Sequence, residues 1–397
     1  MRMKAAAAAA LLMVGVADAR TWRVRPGPEA EQELRTALIE ARPGDTVRLG
    51  RGRIELTSGL SLDIDRVTIR GESEDESILS FNNQRRGAEG LLVTSDGVVL
   101  RDFAVENARG DGIKVRDCRG ITFRRVRAEW TRGPNSENGA YGLYPVNCSD
   151  VLIVDSIARG ASDAGIYVGQ SRNIIVRDNL AEFNVAGIEI ENSYNADVYG
   201  NVATRNTGGI LVFDLPNLPQ KGGHSVRIFK NRSFNNDTPN FAPPGNTVAG
   251  VPNGTGVIVM ANRNVHVFDN DIADNGSTNI FIVGYRSSFT DTGYNPLPSD
   301  VLVSGNRHGR AGFAPGPQFV GGAQMVAAMG AVPPIVWDGT GSNIQVKDKV
   351  PALSLGLKDP KDRETAANPA IADLSGGPEI VQPSAVMLPP SMEAAIK

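Results

Sequence analysis

The sequence predicts an all-β fold, a right-handed parallel β-helix with an N-terminal helical cap and an irregular C-terminal tail. Three observations lead to this prediction. A tetrad of the form Gly-aliphatic-x-aliphatic recurs about every 22 residues, a strand with period-2 alternation follows most tetrads, and asparagines recur in two columns. No helical periodicity separates the strands, which argues against a solenoid of alternating strands and helices.

The tetrads define the predicted coils. They begin at Gly90, Gly112, Gly142, Gly165, Gly187, Gly209, Gly256 and Asn279. The longer steps before Gly142 and Gly256 are interpreted as a loop insertion and a doubled turn. Because side chains alternate across a strand, the second and fourth tetrad residues are predicted to fill the interior, and the third is predicted to point to solvent.

Asparagines at matching positions predict side-chain amides that stack from coil to coil. The two columns are Asn179, Asn201, Asn231, Asn270 and Asn306, and Asn184, Asn206, Asn236 and Asn275. An amide at a bend can bond to the amides above and below it. Asparagine also tolerates the left-handed backbone conformation that corners require. Such columns are useful only if each coil lies directly on the previous one.

Four regions are predicted along the chain. Residues 1–19 combine Arg2 and Lys4, a short apolar stretch and a small-x-small site at 17–19, a pattern typical of a cleaved signal peptide. Residues 20–45 contain an amphipathic helical segment and form the N-terminal cap. Residues 46–310 form the β-helix, and residues 311–397 form a C-terminal cap and an extended tail of low order.

The predicted export bears on location and partners. No later segment approaches the roughly 20 apolar residues of a membrane span, so we expect a periplasmic or secreted protein without membrane insertion after signal cleavage. The formal net charge of −3 argues against nucleic acid as a partner. The partners that we expect are a polysaccharide or another exported protein.

Two cysteines occupy equivalent places in consecutive coils. Cys118 and Cys148 each lie six residues beyond a tetrad glycine. Stacked coils would hold their Cα atoms about 5 Å apart, which suits a disulfide, and export supplies an oxidising compartment. A disulfide is therefore favoured over a pair of buried thiols. No Cys/His cluster indicates zinc.

The outward positions of the tetrad strands are predicted to form one binding surface. The candidate substrate-binding residues are Lys114, Arg116, Tyr141, Tyr144, Tyr167, Gln170, Glu189 and Glu191. Aromatic faces beside charged groups suit a sugar polymer. Tyr144 or Tyr167, next to Lys114 or Arg116, is the candidate base or acid for proton transfer. An ordinary ladder of stacked tyrosines is the alternative interpretation.

Acidic residues and inserted loops add two further hypotheses. Calcium is a candidate cofactor, with possible oxygen ligands at Asp163, Glu189, Glu191 and Asp214, and no other cofactor is expected. Insertions at residues 131–139, 214–224 and 236–255 interrupt the repeat. Long loops on a regular solenoid often build a binding wall or dock a partner, and a lid over the rod is the alternative.

Several segments carry a resemblance to known proteins. "NGAYGLYPVNCSDVLI", "DAGIYVGQSRNI", "VFDLPNLPQKGG" and "GTGVIVMANRNV" resemble a bacterial family of exported parallel β-helix repeat proteins within the pectin-lyase-like superfamily. The resemblance covers about residues 43–306 and implies the fold. Many members of the superfamily cleave or epimerise acidic polysaccharides, but a shared fold does not determine the reaction.

One motif allows a comparison at the level of single residues. "YGLYPV" is similar to the Tyr-Gly-x-Asp-Pro-His motif of alginate carbon-5 epimerases, and Tyr141, Gly142 and Pro145 match it. The catalytic aspartate and histidine of that motif would fall at Tyr144 and Val146. That catalytic pair is therefore not carried over to this chain.

The sequence supports two functional hypotheses. The first is an exported protein that binds an extended polysaccharide, including an anionic one, along the tetrad strands, either without turnover or with its cleavage or epimerisation. The alternative is a non-catalytic periplasmic scaffold that uses its inserted loops to bind another protein.

Overall fold

The computed structural model describes residues 19–362 and 367–397. All but the last residue of the predicted signal peptide lie outside this range. The described residues form two large β-sheets, three α-helices and one 3-10 helix. The helices are α1 (Ala30–Glu40), η1 (Thr247–Gly250), α2 (Gly322–Met329) and α3 (Pro390–Ala394). The predicted cap helix is thus confirmed as α1, whose Leu34 and Leu38 are buried.

The tetrads lie in a 12-stranded sheet, called here the tetrad sheet. Its strands in the described chain are β4 (Ser58–Leu62), β7 (Arg86–Val93), β9 (Ile113–Arg116), β11 (Tyr141–Val146), β14 (Ala164–Gly169), β17 (Ala186–Glu191), β20 (Gly208–Phe213), β23 (Thr255–Met260), β26 (Thr278–Val283), β29 (Ile335–Trp337), β31 (Ala352–Ser354) and β32 (Ala370–Ile371). All neighbouring pairs are parallel except β31 and β32.

The remaining strands form a 20-stranded sheet that wraps around the other sides of the coil. They are β1 (Thr21–Val24), β2 (Thr46–Leu49), β3 (Gly52–Glu55), β5 (Thr68–Arg70), β6 (Ser77–Ser80), β8 (Val98–Glu106), β10 (Arg119–Glu129), β12 (Ser149–Val154), β13 (Ile157–Arg159), β15 (Arg172–Arg177), β16 (Leu180–Glu182), β18 (Tyr194–Tyr199), β19 (Val202–Thr204), β21 (His224–Phe229), β22 (Arg232–Phe234), β24 (Arg263–Phe268), β25 (Asp271–Ala273), β27 (Ser299–Ser304), β28 (Arg307–His308) and β30 (Ser342–Val346).

A regular coil contains three strands rather than the two that the pattern indicates. β14, β15 and the short β16 make one coil, and β17 then pairs in parallel with β14. The register places Ile166 on Ile188 and Ile188 on Ile210, and all three side chains are buried. The predicted right-handed parallel β-helix is confirmed.

The tetrad glycines leave space for the asparagine side chains at the neighbouring corner. A Cβ atom at Gly165 would lie 2.6 Å from Nδ2 of Asn184, and one at Gly187 would lie 2.8 Å from Nδ2 of Asn206. Asn279 takes the place of the glycine in the last tetrad, and its Oδ1 accepts a hydrogen bond from Nδ2 of Asn275 at 3.0 Å. A Cβ atom at Gly90 or Gly142 would instead lie 2.6 or 2.5 Å from the carbonyl oxygen of the next tetrad glycine. The glycine repeat is therefore a requirement of close packing between coils, to which the asparagine column adds from Gly165 onward.

Both predicted asparagine columns are present as hydrogen-bonded ladders. Nδ2 of Asn179 donates to Oδ1 of Asn201 at 2.9 Å, and the same bond recurs up the column to Asn306. Asp348 ends this ladder, because its carboxylate accepts from the backbone amide and from Nδ2 of Asn306. The buried side-chain amides are thereby satisfied over the coils from Asn179 to Asn306.

The β-helix extends beyond both predicted boundaries of 46 and 310. At the N-terminal end, β1 already pairs in parallel with β2, and α1 is inserted between these two strands. At the other end, β30 pairs with β27 and β31 with β29. The insertions at both ends interrupt the 22-residue period, so the repeat pattern does not reveal the terminal coils.

The C-terminal tail is irregular as predicted, apart from α3, but residues 378–395 are held against the rod. This segment runs back along the outer face of the 20-stranded sheet. Hydrogen bonds mark its path from Nε2 of Gln345 to the Pro378 carbonyl, from the Val386 amide to Asp197, and from Nη1 of Arg101 to the Ala395 carbonyl. Leu388 and Met392 are buried against Leu152 and Ile175. Apolar outward residues on that sheet therefore hold the tail in place.

The structure joins Cys118 to Cys148 by a disulfide, and their Cα atoms are 4.6 Å apart. The bond links two consecutive coils, immediately after β9 and β11. Among the helices of the described ranges, none combines the length and the apolar character that crossing a bilayer requires.

Candidate active site

The outward face of the tetrad sheet is covered in its central part, which corrects the prediction that it points to solvent. Only 3% of Tyr167 and 1% of Glu189 are exposed, and Leu211 and Ile258, the next residues in the same column, are also buried. The inserted loops fold over this face because its apolar and aromatic side chains provide surface to bury.

Hydrogen bonds hold the inserted loops to the coils beneath them. Nδ2 of Asn192 donates to the carbonyl groups of Leu215 and Gln220, both at 2.9 Å. The Tyr294 hydroxyl donates to the Asp214 carbonyl at 2.7 Å, and Nδ2 of Asn246 lies 3.4 Å from a carboxylate oxygen of Asp163. Two of the three insertions that suggested partner docking, residues 214–224 and 236–255, are thus held against the molecule itself.

Three tyrosines pack together under this cover. The ring centroids of Tyr141, Tyr144 and Tyr167 lie 4.4 to 4.8 Å apart. Tyr144 and Tyr167 meet edge to face rather than in the predicted stack. Gly169 makes room for this arrangement, because a Cβ atom there would collide with the Tyr167 ring. Tyr141 and Tyr144 remain partly exposed and face the opening of the cluster.

Three buried carboxyl groups surround the tyrosines, and together the six residues form the acid–tyrosine cluster. The carboxyls belong to Asp163, Glu189 and Glu191. Asp163 lies one residue before β14, whereas Glu189 and Glu191 point outward from β17. The parallel register places Glu189 directly beside Tyr167, and Glu191 beside Gly169.

Burial raises the pKa of all three carboxyl groups. The pKa of Asp163 rises to about 7 although a hydrogen bond from Tyr141 opposes the shift. The pKa of Glu191 also rises to about 7, against a hydrogen bond from Tyr167. Burial and the neighbouring charges of Asp163 and Glu191 raise the pKa of Glu189 well above its usual range. Asp163 and Glu191 can therefore exchange protons near neutral pH.

Glu189 has an unsatisfied polar atom. Its Oε1 is buried and has no hydrogen-bond partner among the described residues. Buried polar side-chain atoms normally have a partner in the protein, in an ordered water or in a ligand. Together with the raised pKa of Glu189, this atom indicates a position where a ligand hydroxyl or a water would be bound.

The cations that were expected to activate a phenol are engaged elsewhere. Nζ of Lys114 lies 3.6 Å from Asp111 and 3.9 Å from Glu89, as well as 4.8 Å from the centre of the Tyr144 ring. Arg116 pairs with Asp117 and is largely exposed. Burial is the main reason why the pKa of Tyr144 is raised, and nearby carboxylates raise it further. Burial also raises the pKa of Tyr167.

The tyrosines therefore keep their protons at neutral pH, which favours the acid over the base among the two roles predicted for Tyr144 and Tyr167. A base in this cluster has to be a carboxylate. The sequence identified Asp163 only as a metal candidate, and it missed Asp111 and Glu89. All three acids precede a tetrad glycine by one or two residues, which is the pattern that could have revealed them.

Three predicted site residues lie away from the cluster: Gln170, Asp214 and the exposed Arg116. Gln170 lines a separate polar cleft of about 470 Å³ beside the disulfide, together with Arg172 and Gln220. Asp214 accepts hydrogen bonds from the Gly223 amide, and burial raises its pKa to about 6. Of the eight predicted substrate-binding residues, the structure thus gathers Tyr141, Tyr144, Tyr167, Glu189 and Glu191, with Lys114 at the edge.

In residues 19–362 and 367–397, no group of three or more His, Cys, Asp and Glu side chains is arranged to hold a metal ion. The four proposed calcium ligands divide into Asp163, Glu189 and Glu191 in the cluster and Asp214 in the loop. Calcium binding stays a prediction.

The raised pKa values predict a pH-dependent stability. Asp163 and Glu191 hold protons up to about pH 7 in the folded state, but only up to about pH 4 in an unfolded chain. Between these values the folded state binds more protons, so these groups make the protein less stable as pH rises. Glu191→Gln removes one such group and should be more stable than wild type at about pH 8 by roughly 1–3 kcal/mol, with little difference at about pH 4.

Urea unfolding of both proteins at the two pH values measures this effect. Glu182→Gln is a matched control, because Glu182 is a buried glutamate of the preceding coil that pairs with Arg159 and Arg205 outside the cluster. If Glu191→Gln changes the free energy of unfolding by the same amount at both pH values, the pKa of Glu191 is not raised.

Comparisons with known proteins agree with the observed architecture. The family described as "Right handed beta helix region" matches residues 61–219. The A-module of the mannuronan C-5 epimerase AlgE4 from Azotobacter vinelandii is similar in structure, with a TM-score of 0.51, 18% identity, and coverage of 72% of this chain and 85% of that chain. No curated protein matches the chain by sequence.

Two further solved structures are similar over a larger share of the chain. The A-module of AlgE6, also a mannuronan C-5 epimerase of Azotobacter vinelandii, gives a TM-score of 0.51 at 18% identity and covers 80% of this chain and 87% of that chain. A DFA-IIIase from Arthrobacter chlorophenolicus A6 gives a TM-score of 0.52 at 11% identity, covering 90% of this chain and all of that chain. At such identities the likeness establishes the fold.

Proposed function

We propose, from the premise that this chain is a right-handed parallel β-helix of the pectin-lyase-like superfamily, that it binds an extended glycan and cleaves or epimerises it at the acid–tyrosine cluster. The observation that carries the proposal is the pair of buried carboxyl groups, Asp163 and Glu191, each with a pKa of about 7. Two groups of this kind can supply both the acid and the base that such a reaction needs.

The chemistry follows from the protonation states. Elimination at a uronic acid removes the carbon-5 proton and protonates the departing oxygen, whereas epimerisation removes that proton and returns one to the opposite face. In the proposed site, the deprotonated member of the pair is the base. The protonated member or a tyrosine is the acid, since the tyrosines keep their protons at neutral pH.

Glu189 has a different proposed role. A carboxylic acid that stays protonated at neutral pH can donate a hydrogen bond to a developing negative charge. Burial and its acidic neighbours raise the pKa of Glu189 well above its usual range, and its Oε1 lacks a partner in the described chain. It would bind a carboxylate or hydroxyl oxygen of the sugar.

The structural neighbours support a carbohydrate substrate class. The two epimerase modules act, by their names, on mannuronan. Because residues 1–19 have the pattern of a signal peptide, we also propose that the protein works in the periplasm or outside the cell. The non-catalytic scaffold is not favoured, because the 214–224 loop that would bind a partner is hydrogen-bonded to Asn192, directly after β17, and to Tyr294.

A screen of the chain against mannuronan, alginate, pectate and inulin tests the proposal. Ultraviolet absorbance detects unsaturated products, NMR spectroscopy detects an inverted carbon-5, and a reducing-end assay detects hydrolysis. We expect one of these polymers to be changed. Tyr144→Ala should weaken its binding about tenfold, because a partly exposed aromatic face is lost. Tyr199→Ala, on the 20-stranded sheet, is the matched control. If none of the three assays detects a product, the proposal that this protein is an enzyme is refuted.

A further inference from the structure

A cavity of about 700 Å³ lies on the outward face of the tetrad sheet, beyond the acid–tyrosine cluster. It extends over β20, β23 and β26, and α2 and η1 form part of its walls. The volume is within the range of about 300–1,000 Å³ that is common for small-molecule sites. The proposed function does not involve this cavity.

The floor and walls of the cavity are apolar. Leu211, Ile258 and Phe281 follow one another in the same outward column, on three consecutive strands of the tetrad sheet. Phe319 and Met325 line the opposite wall. A site of this composition gains free energy by burying hydrocarbon and offers little to the hydroxyl groups of a sugar.

The mouth of the cavity is also apolar. Val320, Met329 and Ile371 line it and are 42%, 46% and 60% exposed. In the described parts of the chain, the large hydrophobic residues with such exposure are these three and Ile39, Val381 and Met387. Half of them thus meet at one opening. Exposed apolar residues grouped around a pocket indicate binding of an apolar ligand.

Two charged residues line the cavity in the part of the chain that the structure describes. Arg286 is exposed at the cavity, and Asp338 is buried. The Asp338 carboxylate accepts hydrogen bonds from the Gly284 amide and from Thr340. Arg286 therefore presents a positive charge at an otherwise apolar opening, which complements an anionic group on the ligand.

We propose that this cavity binds a single-chain anionic amphiphile. Its acyl chain lies over the Leu211–Ile258–Phe281 column, and its head group pairs with Arg286. A free fatty acid and a lysophospholipid share this chemistry. The site is separate from the acid–tyrosine cluster, so it can exist whether or not the protein acts on a glycan.

Calorimetric titration with sodium dodecanoate below its micellar concentration tests the site. Dodecanoate should bind at least about 100-fold more tightly than butanoate, since each buried methylene adds to the affinity. Parallel titrations with lysophosphatidylglycerol and dodecanoate show whether the site prefers a lysophospholipid or a free fatty acid. Absence of dodecanoate and lysophosphatidylglycerol binding to wild type would overturn the proposal.

Substitutions at exposed positions locate the ligand without disturbing the fold. The double variant Val320→Asp/Met329→Asp should weaken dodecanoate binding at least about tenfold, because it places charges at the apolar mouth. The matched control Ile39→Asp/Met387→Asp changes exposed hydrophobic residues elsewhere and should bind as wild type does. Equal binding by the mouth variant and wild type would overturn the location, with thermal unfolding confirming that both variants are folded.

Arg286→Glu tests the head group. It should weaken dodecanoate binding about tenfold and leave binding of uncharged monododecanoylglycerol unchanged. Unchanged dodecanoate binding would refute the pairing with Arg286. Glycan turnover, measured on the same variant, should be unaffected, so that this result is separable from the proposed function.

Discussion

Replacement of Glu191 by glutamine is expected to reduce glycan turnover by roughly 10²–10⁴-fold, the usual contribution of a general acid or base. Glutamine retains the size of the side chain but cannot carry the proton. The buried Glu191 has a pKa of about 7, and it is aligned with Gly169 and hydrogen-bonded by Tyr167. Asp163→Asn should have a similar effect, because Asp163 is the second group with a pKa of about 7.

The pH profile separates this role from a structural one. Wild type should give a bell-shaped dependence of kcat on pH, and each amide variant should lose one limb of it. Tyr167→Phe removes the hydrogen bond that opposes the rise in the pKa of Glu191, so the limb due to Glu191 should move to higher pH. Glu182→Gln, in the preceding coil, is the control. If Glu191→Gln has the same turnover and the same pH profile as wild type, Glu191 does not take part in the reaction.

Replacement of Asn206 by alanine is expected to lower the free energy of unfolding by about 4 kcal/mol. The Asn206 side chain takes part in four buried hydrogen bonds. Nδ2 donates to the Ala181 carbonyl and to Asn236, and Oδ1 accepts from the backbone amide and from Nδ2 of Asn184. Each bond contributes about 1 kcal/mol, and alanine leaves the partners buried without replacement.

Urea unfolding followed by circular dichroism measures the loss. Asn83→Ala is the control, because Asn83 is exposed and outside both columns. Gly187→Ala should also destabilise the protein, since its Cβ atom would lie 2.8 Å from Nδ2 of Asn206. If Asn206→Ala unfolds at the same urea concentration as Asn83→Ala, the ladder does not stabilise the coils.

The coil itself could be predicted from the sequence because its rules are local and repeat. Alternation along each strand identifies the inward residues, such as Ile166, Ile188 and Ile210. The two asparagine columns identify the corners and the register. A residue one coil away is a direct neighbour, so a period of 22 residues is enough to place side chains beside one another.

The candidate site could be predicted only in part. The repeat brought Tyr144, Tyr167, Glu189 and Glu191 onto one face, and the structure gathers them. The repeat could not reveal that this face is buried, since the loops that cover it, such as residues 236–255, have no period. Burial reverses the expected chemistry: the phenols keep their protons, and Asp163 and Glu191 titrate near neutral pH.

By itself, then, the sequence determined the all-β class, the parallel coils, their register and the neighbours along each column. Only the tertiary structure decided which outward residues are covered, where the C-terminal segment lies, and that an apolar cavity opens beside Arg286. The physical reason is that stacking depends on spacing, which can be read along the chain. Solvent exclusion depends on which distant segments fold over a surface, and no repeat encodes that.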